Sequence, residues 1–124
     1  MVLMENQGKK IFVVDDDISI GEIVCMLLEL EGYEVNSFSA GKIGVERAKF
    51  DKPDLVLLDY FLPGERAEEI IENMRKAAGD KLPIVLMSAN TDAGKLAEKL
   101  SVNEFIAKPF QRERLLEAIE RNLN

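Results

Sequence analysis

A chain of 124 residues with 16 Lys and Arg against 23 Asp and Glu carries a net charge of −7; it is expected to fold as one domain with a real core and no room for a second fold. That charge argues against direct binding to nucleic acid phosphates. No apolar stretch approaches the roughly 20 residues that span a bilayer, and Met1 to Met4 is far too short for a signal peptide, so the expected location is cytoplasmic with no membrane contact.

Residues 1–9 read as a flexible leader ahead of a domain over residues 10–124. The first apolar run, Ile11-Phe12-Val13-Val14, ends at Asp15 and Asp16. A helix is expected over about Ile18 to Glu31, capped by Asp17 or Ser19 and stopped by Glu31-Gly32-Tyr33. Within it lies Cys25, the single cysteine, which can make no internal disulfide and is expected to be a buried, inert thiol. Glu34 to Phe38 reads as a shorter, more polar strand that suits a sheet edge, and a helix over Gly41 to Phe50 follows. The second strong apolar run, Leu55-Val56-Leu57-Leu58, ends at Asp59. The next helix, Glu65 to Ala78, places Ile70, Ile71 and Met74 at helical spacing and stops at Gly79-Asp80. Pro83-Ile84-Val85-Leu86-Met87 ends at Ser88, and a helix is expected over Thr91 to Ser101. Glu104-Phe105-Ile106-Ala107 ends at Lys108, followed by Pro109 and a last helix over Gln111 to Asn122, with Leu115, Ile119 and Leu123 on one side. Such alternation predicts an α/β fold, a doubly wound parallel sheet of five strands with helices on both faces.

The carboxyl ends of central parallel strands face the crevice where open α/β sheets bind ligands, so Asp15, Asp16 and Asp59 are expected to meet there. Carboxylates that close repel one another unless a cation or a proton neutralises them. Oxygen-only ligands point to a hard divalent ion, Mg²⁺ first and Mn²⁺ as an alternative. Two further strand ends supply a hydroxyl, Ser88, and a mobile ammonium, Lys108.

In this combination of acid pair, single acid, hydroxyl and lysine the chain resembles the receiver domain of two-component response regulators, from about Lys10 to Leu123. The resemblance implies the flavodoxin-like strand order 2-1-3-4-5, with Asp59 as phosphoacceptor. Mg²⁺ would be held by Asp15, Asp16, Asp59 and the backbone carbonyl of Phe61. Ser88 would contact the phosphoryl group and Lys108 would pair with it, while Phe105 takes the place of the family's aromatic switch. Once Asp59 is phosphorylated, Ser88 would move and the Phe105 ring would turn inward, changing a surface that includes Lys95, Lys99 and Arg112. The Lys108–Pro109 bond is a cis-peptide candidate by the same resemblance.

The phosphodonor would be a histidine kinase or a histidine phosphotransfer protein, docking near Ile18, Ser19 and Glu22, since a chain with no histidine cannot be its own phosphohistidine donor. The effector would be a protein of unknown identity, and the state a monomer or a phosphorylation-linked dimer through the fourth and fifth helices. The chain would act as a signalling phosphoacceptor rather than an enzyme, assisting its own phosphorylation and slow dephosphorylation.

Departures from the family pattern carry expectations of their own. Ala67 stands where a glycine is usual, so the loop into the third helix is expected to be reshaped. By the resemblance, Phe61 and Asn90 occupy the two positions that in this family tune how water reaches the acyl phosphate; an apolar ring at Phe61 cannot orient a hydrolytic water, although Asn90 could, which predicts slow self-dephosphorylation. Two rival readings stay open at this point. Asp15-Asp16-Asp17-Ile18-Ser19 also fits the D-x-D-x-S nucleophile motif of haloacid-dehalogenase-like phosphohydrolases, although the later acids Glu113, Glu117 and Glu120 fall on a helix. The other rival is a phosphorylation-independent docking module. Flavin binding is disfavoured because an acidic first loop repels the cofactor phosphate.

Overall fold

The computed structural model describes residues 8–89 and 93–123. Five strands, β1 (Lys10–Val14), β2 (Glu34–Phe38), β3 (Leu55–Asp59), β4 (Ile84–Ser88) and β5 (Glu104–Ala107), alternate with five helices, α1 (Ile18–Leu30), α2 (Gly41–Ala48), α3 (Ala67–Ala78), α4 (Ala93–Leu100) and α5 (Arg112–Leu123). All strand pairs are parallel and the order is β2-β1-β3-β4-β5. β2 lies at one edge as its polarity requires, but at five residues it matches β1, β3 and β4; the shortest strand is β5, with four, at the opposite edge.

The near-continuous apolar runs exist because the central strands are covered on both faces. On one face Phe12, Val14, Val56, Leu58, Ile84 and Leu86 pack against α2, α3 and the end of α4 through Ala48, Ile70, Ile71, Met74 and Leu100. On the other, Ile11, Val13, Leu55, Leu57, Val85, Met87 and Ile106 pack against α1 and α5 through Val24, Leu28, Leu115, Ala118 and Ile119. Burying one such side chain is worth about 2 kcal/mol, so each face is a core in its own right.

Helix ends follow local chemistry. Asp17 caps α1, its carboxylate accepting from the Ser19 and Ile20 amides at 3.0 and 3.3 Å. α3 stops at Gly79, whose φ of +126° is open to glycine and strained for other residues. α3 begins at Ala67 and not at Glu65, because Glu65 is spent elsewhere, and α2 ends at Ala48, two residues before Phe50. Of the helix expected over Thr91 to Ser101, Ala93–Leu100 is helical, Thr91 lies outside the described residues, and Ser101 closes the helix with a φ of +57°. Cys25 is half-buried rather than buried; burial pushes its thiol up, with a hydrogen bond to Ser37 opposing. No helix among the described residues is long and apolar enough to cross a membrane.

Candidate functional site

Strand register fixes the site. Val14 of β1 lies opposite Leu58 of β3, so Asp15 and Asp59, each the next residue, come abreast. Asp59 in turn lies opposite Met87, and Ser88 opposite Ala107, which brings Ser88 and Lys108 to the same end of the sheet. Main-chain bonds carry the ladder one step past the strands: Asp15 N–H donates to Phe38 O at 3.0 Å, Tyr60 N–H to Met87 O at 2.8 Å and Lys108 N–H to Ser88 O at 2.8 Å. Asp15, Tyr60 and Lys108 are therefore tied by their main chains into the sheet, with the acids at its carboxyl edge.

Asp15, Asp16 and Asp59 each offer a carboxylate oxygen to one cluster in which all three atoms lie within 4.8 Å of one another. Asp15 and Asp59 are buried and Asp16 is exposed, so the cluster opens to solvent on the Asp16 side. The Lys108 ammonium bridges the two buried acids, 2.8 Å from Asp15 Oδ2 and 3.4 Å from Asp59 Oδ2. Asp15 Oδ1 accepts from the Asp17 amide at 2.9 Å, which aims the carboxylate and joins it to the start of α1.

The electrostatics follow from burial. Asp59 is pushed up from 3.8 to about 6, first by desolvation and next by the neighbouring Asp15 charge; Lys108 and a backbone hydrogen bond from Phe61 hold it back. Burial alone would lower Lys108, but its hydrogen bond to Asp15 and the charges of Asp59 and Asp15 outweigh that and raise it. Lys108 is therefore a fixed cation. One ammonium facing three carboxylates leaves a local excess of negative charge, and the donor set is all oxygen, a combination that fits a hard divalent cation such as Mg²⁺.

Ser88 ends β4 fully buried. Phe105 is half-buried and packs against the α2–α3–α4 core. The Phe61 ring is 62% exposed and lies edge-on to Tyr60, with ring centroids 4.7 Å apart and planes at 76°, so only the Phe61 main chain faces inward. The Lys108–Pro109 bond is cis. Asn90 lies outside the described residues.

Two features escaped the sequence reading. Glu65 sends both carboxylate oxygens to the start of α2. Glu104, at the far end of β5, gathers Arg114, Arg121 and Asn122, and the Arg121 hydrogen bond leads the interactions that hold its carboxyl down at about 2. Both join residues 10 or more positions apart and leave no periodic trace.

The model of the response regulator receiver domain matches residues 11–120. Among curated proteins, the DNA-binding response regulator MtrA of Mycobacterium bovis is 31% identical over 122 residues, covering 97% of this chain and 53% of that protein. The chain thus spans about half the length of the curated relatives it matches. Among solved structures, chemotaxis protein CheY4 of Vibrio cholerae superposes with a TM-score of 0.85 at 26% identity, covering 93% of this chain and 98% of that one. The response regulator TrrA of Thermotoga maritima, solved in complex with Mg²⁺ and a beryllium fluoride, gives a TM-score of 0.82 at 29% identity, covering 93% and 99%.

Proposed function

Since this chain belongs to the response regulator receiver domain family of two-component systems, we propose that it takes a phosphoryl group from a phosphohistidine donor onto Asp59 and answers by altering a protein-interaction surface. The observation that carries this reading is the meeting of Asp15, Asp16 and Asp59 within 4.8 Å beside a lysine that bridges the two buried acids.

Receiver domains bind Mg²⁺ at an acidic pocket, and here Asp15, Asp16, Asp59 and the Phe61 carbonyl are the groups that would hold it. Bound there, the ion supplies positive charge to the phosphoryl oxygens as the anionic groups approach. The remaining chemistry falls to the chain. The Asp59 carboxylate attacks phosphorus in line; a P–O bond forms, the P–N bond to the donor imidazole breaks, and the nitrogen keeps the electron pair. Lys108, already positioned by Asp15, offers a charge-assisted hydrogen bond to a phosphoryl oxygen, and Ser88 offers its hydroxyl to another. Transfer of this kind is mainly positioning and charge stabilisation, which strand ends on a rigid sheet supply.

Phosphorylation adds acceptor oxygens and charge that exist in only one of two packings, so the population shifts toward the packing that serves them. Ser88 moving toward the phosphoryl group and Phe105 turning further into the α2–α3–α4 core would carry the change to α4, β5 and α5. The receiver would occupy residues 10–124 with a leader over residues 1–9. Its donor would be a histidine kinase or histidine phosphotransfer protein, its effector another protein, its location the cytoplasm, and its state a monomer or a phosphorylation-linked dimer. The rival with Asp15 as nucleophile has less support, because the Asp15 side chain is fully enclosed with its two oxygens taken by the Asp17 amide and Lys108, whereas the Asp59 side chain keeps some exposure.

Intact mass and site mapping after incubation with acetyl phosphate and Mg²⁺, beside an Asp59→Asn variant, tests this reading. A Mg²⁺-dependent adduct on Asp59 that is lost in the variant supports it. No adduct with the fold intact would turn the assignment toward a docking module, and an adduct on Asp15 toward a phosphohydrolase.

A further inference from the structure

The segment between Asp59 and α3 holds the Phe61 main chain beside the acidic cluster, yet the Phe61 residue is 62% exposed and its ring meets the neighbouring Tyr60 ring edge-on rather than entering the core. The anchors lie elsewhere. At one end the Tyr60 amide donates to Met87 O at 2.8 Å, and in the middle Leu62 is buried in the α2–α3–α4 core. At the other end the chain turns through Gly64, at a φ of +72°, into Glu65, whose amide donates back to Leu62 O at 3.1 Å.

Glu65 then reaches across to a different helix. Its Oε1 accepts the Gly41 amide and its Oε2 the Lys42 amide, each at 2.8 Å. These are the first two N–H groups of α2, and the residue at the α2 cap position, Ala40, has no side chain able to satisfy them. The carboxylate also meets the positive end of the helix dipole. Such a bond is mutual: Glu65 caps α2, and α2 holds Glu65 and with it the loop. Space at the joint is tight, since a Cβ built on Gly41 would clash with Ile70 Cδ1 and lie 3.1 Å from Glu65 Oε2.

We propose that Glu65 is a positioning residue for the phosphoacceptor site: by clamping the β3–α3 loop to the start of α2 it fixes the Phe61 main chain, and through it Asp59 and the cation held there. The inference rests on the Mg²⁺-binding reading above. Glu65 touches neither the cation nor the phosphoryl group. It acts through four residues of backbone, and it makes α2 part of the support of the site.

The test compares wild type with Glu65→Ala, Glu65→Gln and a control, Val45→Ala, which thins the packing of α2 without touching the clamp. Amide NMR shifts and hydrogen exchange of Gly41, Lys42 and Phe61 are followed while Mg²⁺ alone is titrated. Loss of the clamp should speed exchange at Gly41 and Lys42, shift the Phe61 amide and weaken Mg²⁺ binding about tenfold, the scale seen when an outer-shell support of a metal ligand is lost. Glu65→Gln, which keeps one oxygen acceptor, should fall between Glu65→Ala and wild type, and Val45→Ala should bind Mg²⁺ as wild type does. Faster exchange at Gly41 and Lys42 with Mg²⁺ affinity unchanged within about twofold would overturn the proposal, leaving Glu65 a helix cap and nothing more. Equal weakening in Val45→Ala would overturn it too, because α2 stability and not the clamp would then be responsible. Failure of wild type itself to bind Mg²⁺ would strike the parent reading instead.

Discussion

Replacing the phosphoacceptor by its neutral isostere should make the metal-free protein more stable. Asp59 is held at about 6 in the folded chain against 3.8 for an ordinary aspartate, because burial and the Asp15 charge outweigh the help from Lys108 and the Phe61 amide. A carboxyl raised by folding binds its proton more tightly in the native state, so its ionisation opposes folding. The penalty is absent below about pH 4, grows as pH rises toward 6 and is complete above it. At about 1.4 kcal/mol per pKa unit the full penalty comes to about 3 kcal/mol, and an asparagine that fits imperfectly should recover about 1–3 kcal/mol of it. For a chain of this length that raises Tm by roughly 3–10 °C. Urea unfolding followed by circular dichroism at pH 7.5 and pH 4, with chelator present, measures the difference; Asp59→Asn should win at the higher pH and lose most of its margin at the lower. Added Mg²⁺ should then raise wild type and leave the variant behind, closing the gap. An Asn variant no more stable than wild type at pH 7.5 without metal would refute the reasoning, since it would mean that the two buried acids do not strain the fold.

Other perturbations reach different parts of the same machinery. Lys108→Ala removes the cation that bridges Asp15 and Asp59, so the Asp59 titration midpoint, read from its carboxyl carbon shift, should move above that of wild type; a fall would contradict the bridging role. Phosphorylation of that variant by acetyl phosphate should slow about tenfold or more. Phe61→Asn supplies a side chain able to orient water at a position whose main chain flanks Asp59, and loss of phosphate from Asp59, timed by mass, should accelerate; a wild type that loses phosphate fast, with no change in the variant, would sink the idea of slow self-dephosphorylation. Glu104→Gln should cost about 1–2 kcal/mol at pH 7 by weakening the bonds to Arg114 and Arg121. Because folding depresses Glu104 from 4.5 to about 2, its contribution is present above pH 4.5 and fades as pH falls toward 2, so the gap between variant and wild type should narrow in acid.

What the sequence made legible was whatever depends on strand ends and periodicity. Four apolar runs stopped at Asp15, Asp59, Ser88 and Lys108, and the parallel register brings those residues to one end of the sheet. Ile70, Ile71 and Met74 on α3 and Leu115 and Ile119 on α5 were readable for the same reason, since helical spacing maps onto a buried face. The start of α3 was misplaced because Glu65 looks like a good first-turn helix residue; what draws it away is an uncapped helix 24 residues earlier, and no local pattern records that vacancy. The end of α2 was overextended for a related reason, since Phe50 suits a helix by pattern yet its ring is 86% exposed and no packing draws it in. Glu104 read as one polar residue at a strand start, and the guanidiniums that surround it arrive only when α5 folds back along β5.

The sheet also acts as a partition. Phe105 belongs to the layer shared with α2, α3 and α4, whereas Ile106, the next residue, belongs to the layer shared with α1 and α5. A rearrangement around Phe105 is therefore separated from α1 by a hydrogen-bonded backbone wall that close-packed side chains do not cross. If the proposed change reaches α5 only by way of β5, then α1 itself can keep one contour while the α4–β5–α5 side takes another, so whatever recognises α1 need not sense which of the two has been taken.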